Sequence, residues 1–162
     1  MNEEQLKSIV DANLEKIVAL GLRGVYPFAF VGSASPRREY SVDSAIVNNQ
    51  LVFTPTTQIL CFLIMDLTNT LLAAQKLFPK MPRNESLKMV VSANNEIINS
   101  ASSKLGMVLS RAAGNGEVTV TPPLVMNHTG ENRLPLNVSD CLFWTFRSEC
   151  IVFDFIIAIQ KI

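Results

Sequence analysis

Across residues 87–112 the apolar side chains recur at helical spacing, and this one stripe sets what the rest of the chain must build. Each residue of an α-helix advances about 100°. With Glu96 as origin, Leu87, Val90, Val91, Ile97, Ile98, Ala101, Leu105, Val108, Leu109 and Ala112 fall on the opposite arc. A helix of this kind needs an apolar surface to lie on. Asn84, after Pro82, is read as its N-cap, with Glu85 in the first turn. Lys104 and Arg111 lie toward the C-terminal end, and Gly114 is read as the stop. Gly106 costs about 1 kcal/mol relative to Ala in a helix interior, which leaves open a helix that ends or bends there.

The remaining segments supply a sheet. Residues 3–20 form a second amphipathic pattern with Gly21 as its stop. Residues 25–32 read as a strand entered through Pro27, and 33–43 as a polar connection. Residues 45–54 read as one strand, or two short ones around Asn48-Asn49, and 58–66 as a buried strand. Asp66 or Thr68 caps a helix reaching Phe78, closed by Pro79 and Pro82. After a turn at Gly114-Asn115-Gly116, residues 117–122 give a short strand and 124–135 a loop. A hairpin over 138–147 and 150–160 turns near Ser148-Glu149. This order predicts an α+β fold in one domain over 1–162: a mostly antiparallel sheet with helices packed on one face.

Composition excludes several classes of function. Fourteen basic and 14 acidic residues leave a formal net charge of zero, so nothing steers the chain toward nucleic acid or an anionic membrane. Its only basic cluster, Pro36-Arg37-Arg38, is too small to be a patch. The longest apolar runs, 59–65 and 150–159, are too short to span a bilayer, and Asp154 interrupts the second. The N-terminus has no signal-peptide core, so the cytoplasm is the expected compartment. Cys61, Cys141 and Cys150 are odd in number and widely spaced, which argues for buried thiols over disulfides or zinc. His128, the one histidine and so the one base a triad could use, falls in a polar segment and is read as a solvated loop histidine rather than a triad member. Gly114-Asn115-Gly116 lacks the length and the following Lys-Ser/Thr of a phosphate loop.

The polar side of the helix over 87–112 carries the chemistry. Ser92, Asn99 and Ser103 fall within roughly 60° of Glu96. A polar stripe opposite an apolar one is ordinarily a solvated face. This one is poor in the usual solvating Lys and Glu, and its short side chains suit fixed hydrogen bonds. The spacing is Ser92, three residues, Glu96, two residues, Asn99, twenty-two residues, Pro122.

That spacing resembles the signature of the CheC/CheX/FliY phosphatases of bacterial chemotaxis: Asp or Ser, three residues, Glu, two residues, Asn, about twenty-two residues, Pro. Every defined position is filled here. CheC-type chains carry two such motifs. Here Glu15 is followed at the Asn position by Val18, so the likeness is to single-site CheX-like proteins. The resemblance implies a CheC/CheX-like sheet covered by helices, and dimers formed through sheet edges. It implies that the substrate is a phosphorylated CheY-type receiver. Asn99 would position the attacking water, and Glu96 would anchor to the receiver's lysine. Ser92, Ser103 and Pro122 would be partner-facing, with Pro122 shaping the adjoining loop. No cofactor of its own is implied; the receiver would bring Mg2+. A docking module that binds a receiver or a motor-switch component without hydrolysis is the alternative.

Overall fold

The computed structural model describes residues 2–34, 41–114, 116–133 and 141–161. Helix α1 (Glu3–Arg23) starts at a capping box in which the Asn2 side chain accepts from Gln5 N–H and the Gln5 side chain accepts from Asn2 N–H. It runs through Gly21, the expected stop, to a cap at Gly24. Leu22 extends the buried stripe of Leu6, Val10, Leu14 and Val18, and burial holds the last turn in place. The strand expected over 25–32 is confined to β1 (Val31–Ala34). Val25 and Tyr26 N–H donate back to Leu22 C=O, so the chain turns off the helix end and delivers Tyr26, Phe28 and Phe30 to the core from a loop.

Strands β2 (Ser41–Thr54) and β3 (Thr57–Asp66) form a hairpin. β2 passes unbroken through Asn48-Asn49. Asp66 caps α2 (Leu67–Leu77), accepting from Asn69 N–H at 2.7 Å. Helix α3 (Arg83–Ala112) begins one residue before Asn84; Pro82 occupies the cap position, and Asn84 lies in the first turn. α3 neither stops nor breaks at Gly106. A Cβ there would meet Val118 Cγ1 at 2.6 Å and Val52 Cγ1 at 3.0 Å, so the glycine lets the helix lie close to the sheet. The helix closes at Ala113, followed by Gly114 with φ of 93°.

Strand β4 (Thr119–Val120) precedes Pro122-Pro123, and β5 (Leu124–Arg133) occupies the segment expected as a loop. Its polar sequence hides it, because backbone pairing with β2 forms it. His128 therefore lies on a strand, opposite Ala45. β6 (Cys141–Arg147) and β7 (Val152–Lys161) form the terminal hairpin, turned by Ser148, whose hydroxyl accepts from Cys150 and Ile151 N–H. Pro36, Arg37, Arg38, Asn115 and the expected strand start at 138–140 lie outside the described residues.

The sheet has seven strands in the order β1-β6-β7-β3-β2-β4, with β5 also on β2, and each pairing is antiparallel. The apolar β7 is interior, between β6 and β3, so it needs no further cover. The helices lie on one face and pack on Cys61, Leu63, Met65, Phe146, Phe155 and Ile157. Each large apolar side chain buried there contributes about 1.5–3 kcal/mol. The alternate residues Val47, Phe62, Ile64, Phe143 and Ile156 form a second cluster on the opposite face. Of the cysteines, Cys61 is fully buried as expected, whereas Cys141 and Cys150 are half-buried; all three are free.

Candidate functional site

Helix α3 lies along β2, and its polar face divides into an outer and an inner row. Ser92, Glu96 and Asn99 are exposed, and Ser103 is half-buried. Among the described residues Glu96 has no hydrogen-bond or ion-pair partner. The inner row is held to the sheet by carboxamides. Asn48 Nδ2 donates to Asn95 Oδ1 at 2.7 Å and to Val91 C=O at 3.2 Å. Gln50 Nε2 donates to Asn99 Oδ1 at 2.8 Å and to Thr121 C=O at 2.5 Å. The two rows match in repeat. Two residues along a strand rise about 6.6–6.8 Å, and four along a helix about 6.0 Å. Asn48 and Gln50 thus meet Asn95 and Asn99 in step.

Thr121 ties Pro122 to this arrangement. Its N–H donates to Leu51 C=O at 3.0 Å, and its Oγ1 accepts from Leu51 N–H at 3.1 Å. Pro122 and Pro123 have no N–H to give a ladder, so the pairing of this edge is interrupted between β4 and β5. Thr121 C=O stays free to take the Gln50 amide. The long spacing from Asn99 to Pro122 therefore closes in space through two hydrogen bonds: Asn99 to Gln50, and Gln50 to the residue before Pro122.

The sequence reading named Ser92, Glu96, Asn99, Ser103 and Pro122 but missed Asn48, Gln50, Asn95 and Thr121. The signal was present. Asn48-Asn49-Gln50 is a run of carboxamides inside an apolar strand, and buried carboxamides need partners. Asn48 and Gln50 are 0% and 2% exposed, yet Asn48 Oδ1 and Gln50 Oε1 have no hydrogen-bond partner. Behind the site Tyr26 Oη donates to Asn94 Oδ1 at 2.6 Å, and burial raises the Tyr26 pKa. Burial also pushes the Cys61 thiol up to about 12, so it stays protonated at neutral pH and is no nucleophile. Among the described residues no three His, Cys, Asp or Glu side chains group closely enough to hold a metal ion. Among the same residues no helix is long and apolar enough to cross a membrane.

Comparison with protein-family models and with curated proteins gives no match. Solved structures do match. A chain of the CheX–CheY–BeF3–Mg2+ complex from Borrelia burgdorferi superimposes with a TM-score of 0.70 at 18% identity, over 93% of this chain and 97% of that one. CheX from Desulfovibrio desulfuricans gives 0.66 at 9% identity, over 94% and 99%. FliY from Thermotoga maritima gives 0.61 at 16% identity, over 98% and 91%. The chain has the CheC/CheX/FliY fold. The expected α+β architecture is thereby met, and within it the residues of the Ser-Glu-Asn-Pro spacing sit on α3 and beside Thr121.

Proposed function

We propose that this protein is a phosphatase of phosphorylated CheY-type response regulators, acting in chemotaxis or a related two-component pathway. The observation that carries the reading is the exposed Glu96–Asn99 pair on α3 of a CheC/CheX/FliY fold, in the spacing that resembles that family's signature. The CheX–CheY complex among the structural neighbours supports the choice of partner.

The chemistry asks little of this chain. An aspartyl phosphate is an acyl phosphate that hydrolyses unaided. A water oxygen bonds to phosphorus while the bond from phosphorus to the aspartyl oxygen breaks; that bond's electron pair stays on the carboxylate, and the water's proton leaves to solvent as inorganic phosphate is released. Holding the water in line lowers the barrier without a nucleophile of the catalyst's own. A carboxamide both donates and accepts hydrogen bonds, which suits Asn99 to that task. Glu96 is free to reach a lysine of the receiver as a charge-assisted bond. The receiver supplies Mg2+. Ser92 and Ser103 flank the pair on the docking face, and Pro122 shapes the loop beside it.

The same reading carries a homodimer formed through sheet edges. β5 lies at an edge and exposes Leu124, Val125 and Met126, at 64%, 40% and 41%. A receiver partner implies a cytoplasmic location. The test is to follow the phosphoryl group on CheY-type receivers with and without this protein, together with binding to each receiver. Faster decay supports the phosphatase. Binding without faster decay moves the reading to a docking module, and neither effect with any receiver refutes both.

A further inference from the structure

The hydrogen bonds around Gln50 determine which way the Asn99 carboxamide faces. Thr121 C=O can only accept, so the Gln50 side chain must turn its NH2 toward it. The second hydrogen of that NH2 then reaches Asn99, which must answer with Oδ1, at 2.8 Å. On this exposed side chain Asn99 Nδ2 and one lone pair of Oδ1 are then left to bond outside the chain. Gln50 makes this arrangement while leaving its own Oε1 buried without a hydrogen-bond partner. An apolar side chain at position 50 would avoid that unpaired oxygen. The arrangement begins at Pro122. A residue before proline is held in the extended region, and Thr121 is further fixed by its bonds to Leu51.

We propose that Gln50 is the positioning residue of this site: anchored on Thr121 C=O ahead of Pro122, it fixes the plane and the donor–acceptor sense of the Asn99 carboxamide. The inference rests on the phosphatase reading for its catalytic consequence, though not for its geometry. Gln50 itself is buried behind the exposed face of α3. It acts through Asn99, and it gives the proline of the Ser-Glu-Asn-Pro spacing a physical role at a distance.

The test uses Gln50→Met, which keeps the unbranched shape and removes both donors. Three readouts are taken on the full chain. The maximal rate of receiver dephosphorylation is expected to fall about tenfold or more, since small misplacements of a positioning group cost that much. Half-saturation by a beryllofluoride-loaded receiver is expected to stay within about twofold, because Glu96 and the outer face of α3 are untouched. Gln50→Met/Asn99→Ala is expected to be no slower than Asn99→Ala alone, since Gln50 works only through Asn99. Side-chain 15N relaxation of Asn99 Nδ2 is expected to show a rigid amide in the wild type and a mobile one in Gln50→Met. A maximal rate within twofold of wild type, a double variant slower than Asn99→Ala, or an Asn99 amide equally mobile in both proteins overturns the proposal. If the wild type accelerates no receiver, the phosphatase reading falls and the Asn99 relaxation alone decides whether Gln50 holds the side chain.

Discussion

Gly106→Ala should destabilise this protein, although the same change in most helices stabilises them. In an exposed helix interior, Gly to Ala gains about 1 kcal/mol from propensity. At Gly106 the new Cβ would meet Val118 Cγ1 at 2.6 Å and Val52 Cγ1 at 3.0 Å. Comfortable carbon contacts begin near ~3.5 Å, so about 1 Å must be found. Val52 is fully buried in the core, and Val118, half-buried, packs against it. Overpacking of this sort costs about 1–3 kcal/mol. Set against the propensity gain, the net loss is about 1 kcal/mol, which lowers Tm by about 2–4 °C in a domain of this size. Urea and thermal unfolding of wild type, Gly106→Ala and Gly106→Ala/Val118→Ala measure it. Removing the Val118 methyls should recover part of the loss beyond what Val118→Ala costs alone. A Gly106→Ala protein that is more stable by about 1 kcal/mol would refute the close approach of α3 to β2. It would also undercut the seating of Asn95 and Asn99 on Asn48 and Gln50.

Two further outcomes follow from the geometry. The thiol of Cys61 ionises near its ordinary value of about 8.5 in the unfolded chain but only at about 12 when folded. Between those values the native state holds a proton that the unfolded state has released, so stability falls as pH rises, by up to about 1.4 kcal/mol per unit from this group. Urea midpoints from pH 8 to 10 should decline more steeply in wild type than in Cys61→Val; parallel curves would contradict the burial. The homodimer proposed above would cover Leu124, Val125 and Met126, which are exposed on edge strand β5. Light scattering at micromolar concentration should report twice the chain mass, falling to one in Val125→Lys; a wild-type monomer would remove that expectation.

How much was legible depended on whether side-chain pattern or backbone pairing formed an element. Helix α3 was readable because ten apolar residues keep one arc and the motif occupies the other. The β6–β7 hairpin and the Asp66 cap were readable for similar local reasons. Strand β5 was not, since its sequence of Asn, His, Thr, Gly and Glu carries no alternation, and its ladder to β2 is made by main-chain atoms. The aromatic run from Tyr26 to Phe30 imitates a strand, yet its backbone turns on Leu22 and its rings fill the core. Gly21 imitates a stop, but burial of Leu22 carries the helix past it. At the candidate site, Glu96 and Asn99 were picked out because their spacing resembles the family signature. Gln50 was visible only as a carboxamide in an apolar strand and Thr121 not at all, because their pairing depends on three distant segments meeting: β2, α3 and the residue before Pro122.

The most direct test of the account is single-turnover decay of the phosphoryl group on a CheY-type receiver, with Asn99→Ala measured beside wild type. Wild type is expected to speed the decay well above the receiver's own rate. Asn99→Ala is expected to return the decay to nearly that rate while still binding the beryllofluoride-loaded receiver. Acceleration by Asn99→Ala equal to wild type would show that the exposed carboxamide on α3 holds no water, and the account would be wrong at its centre.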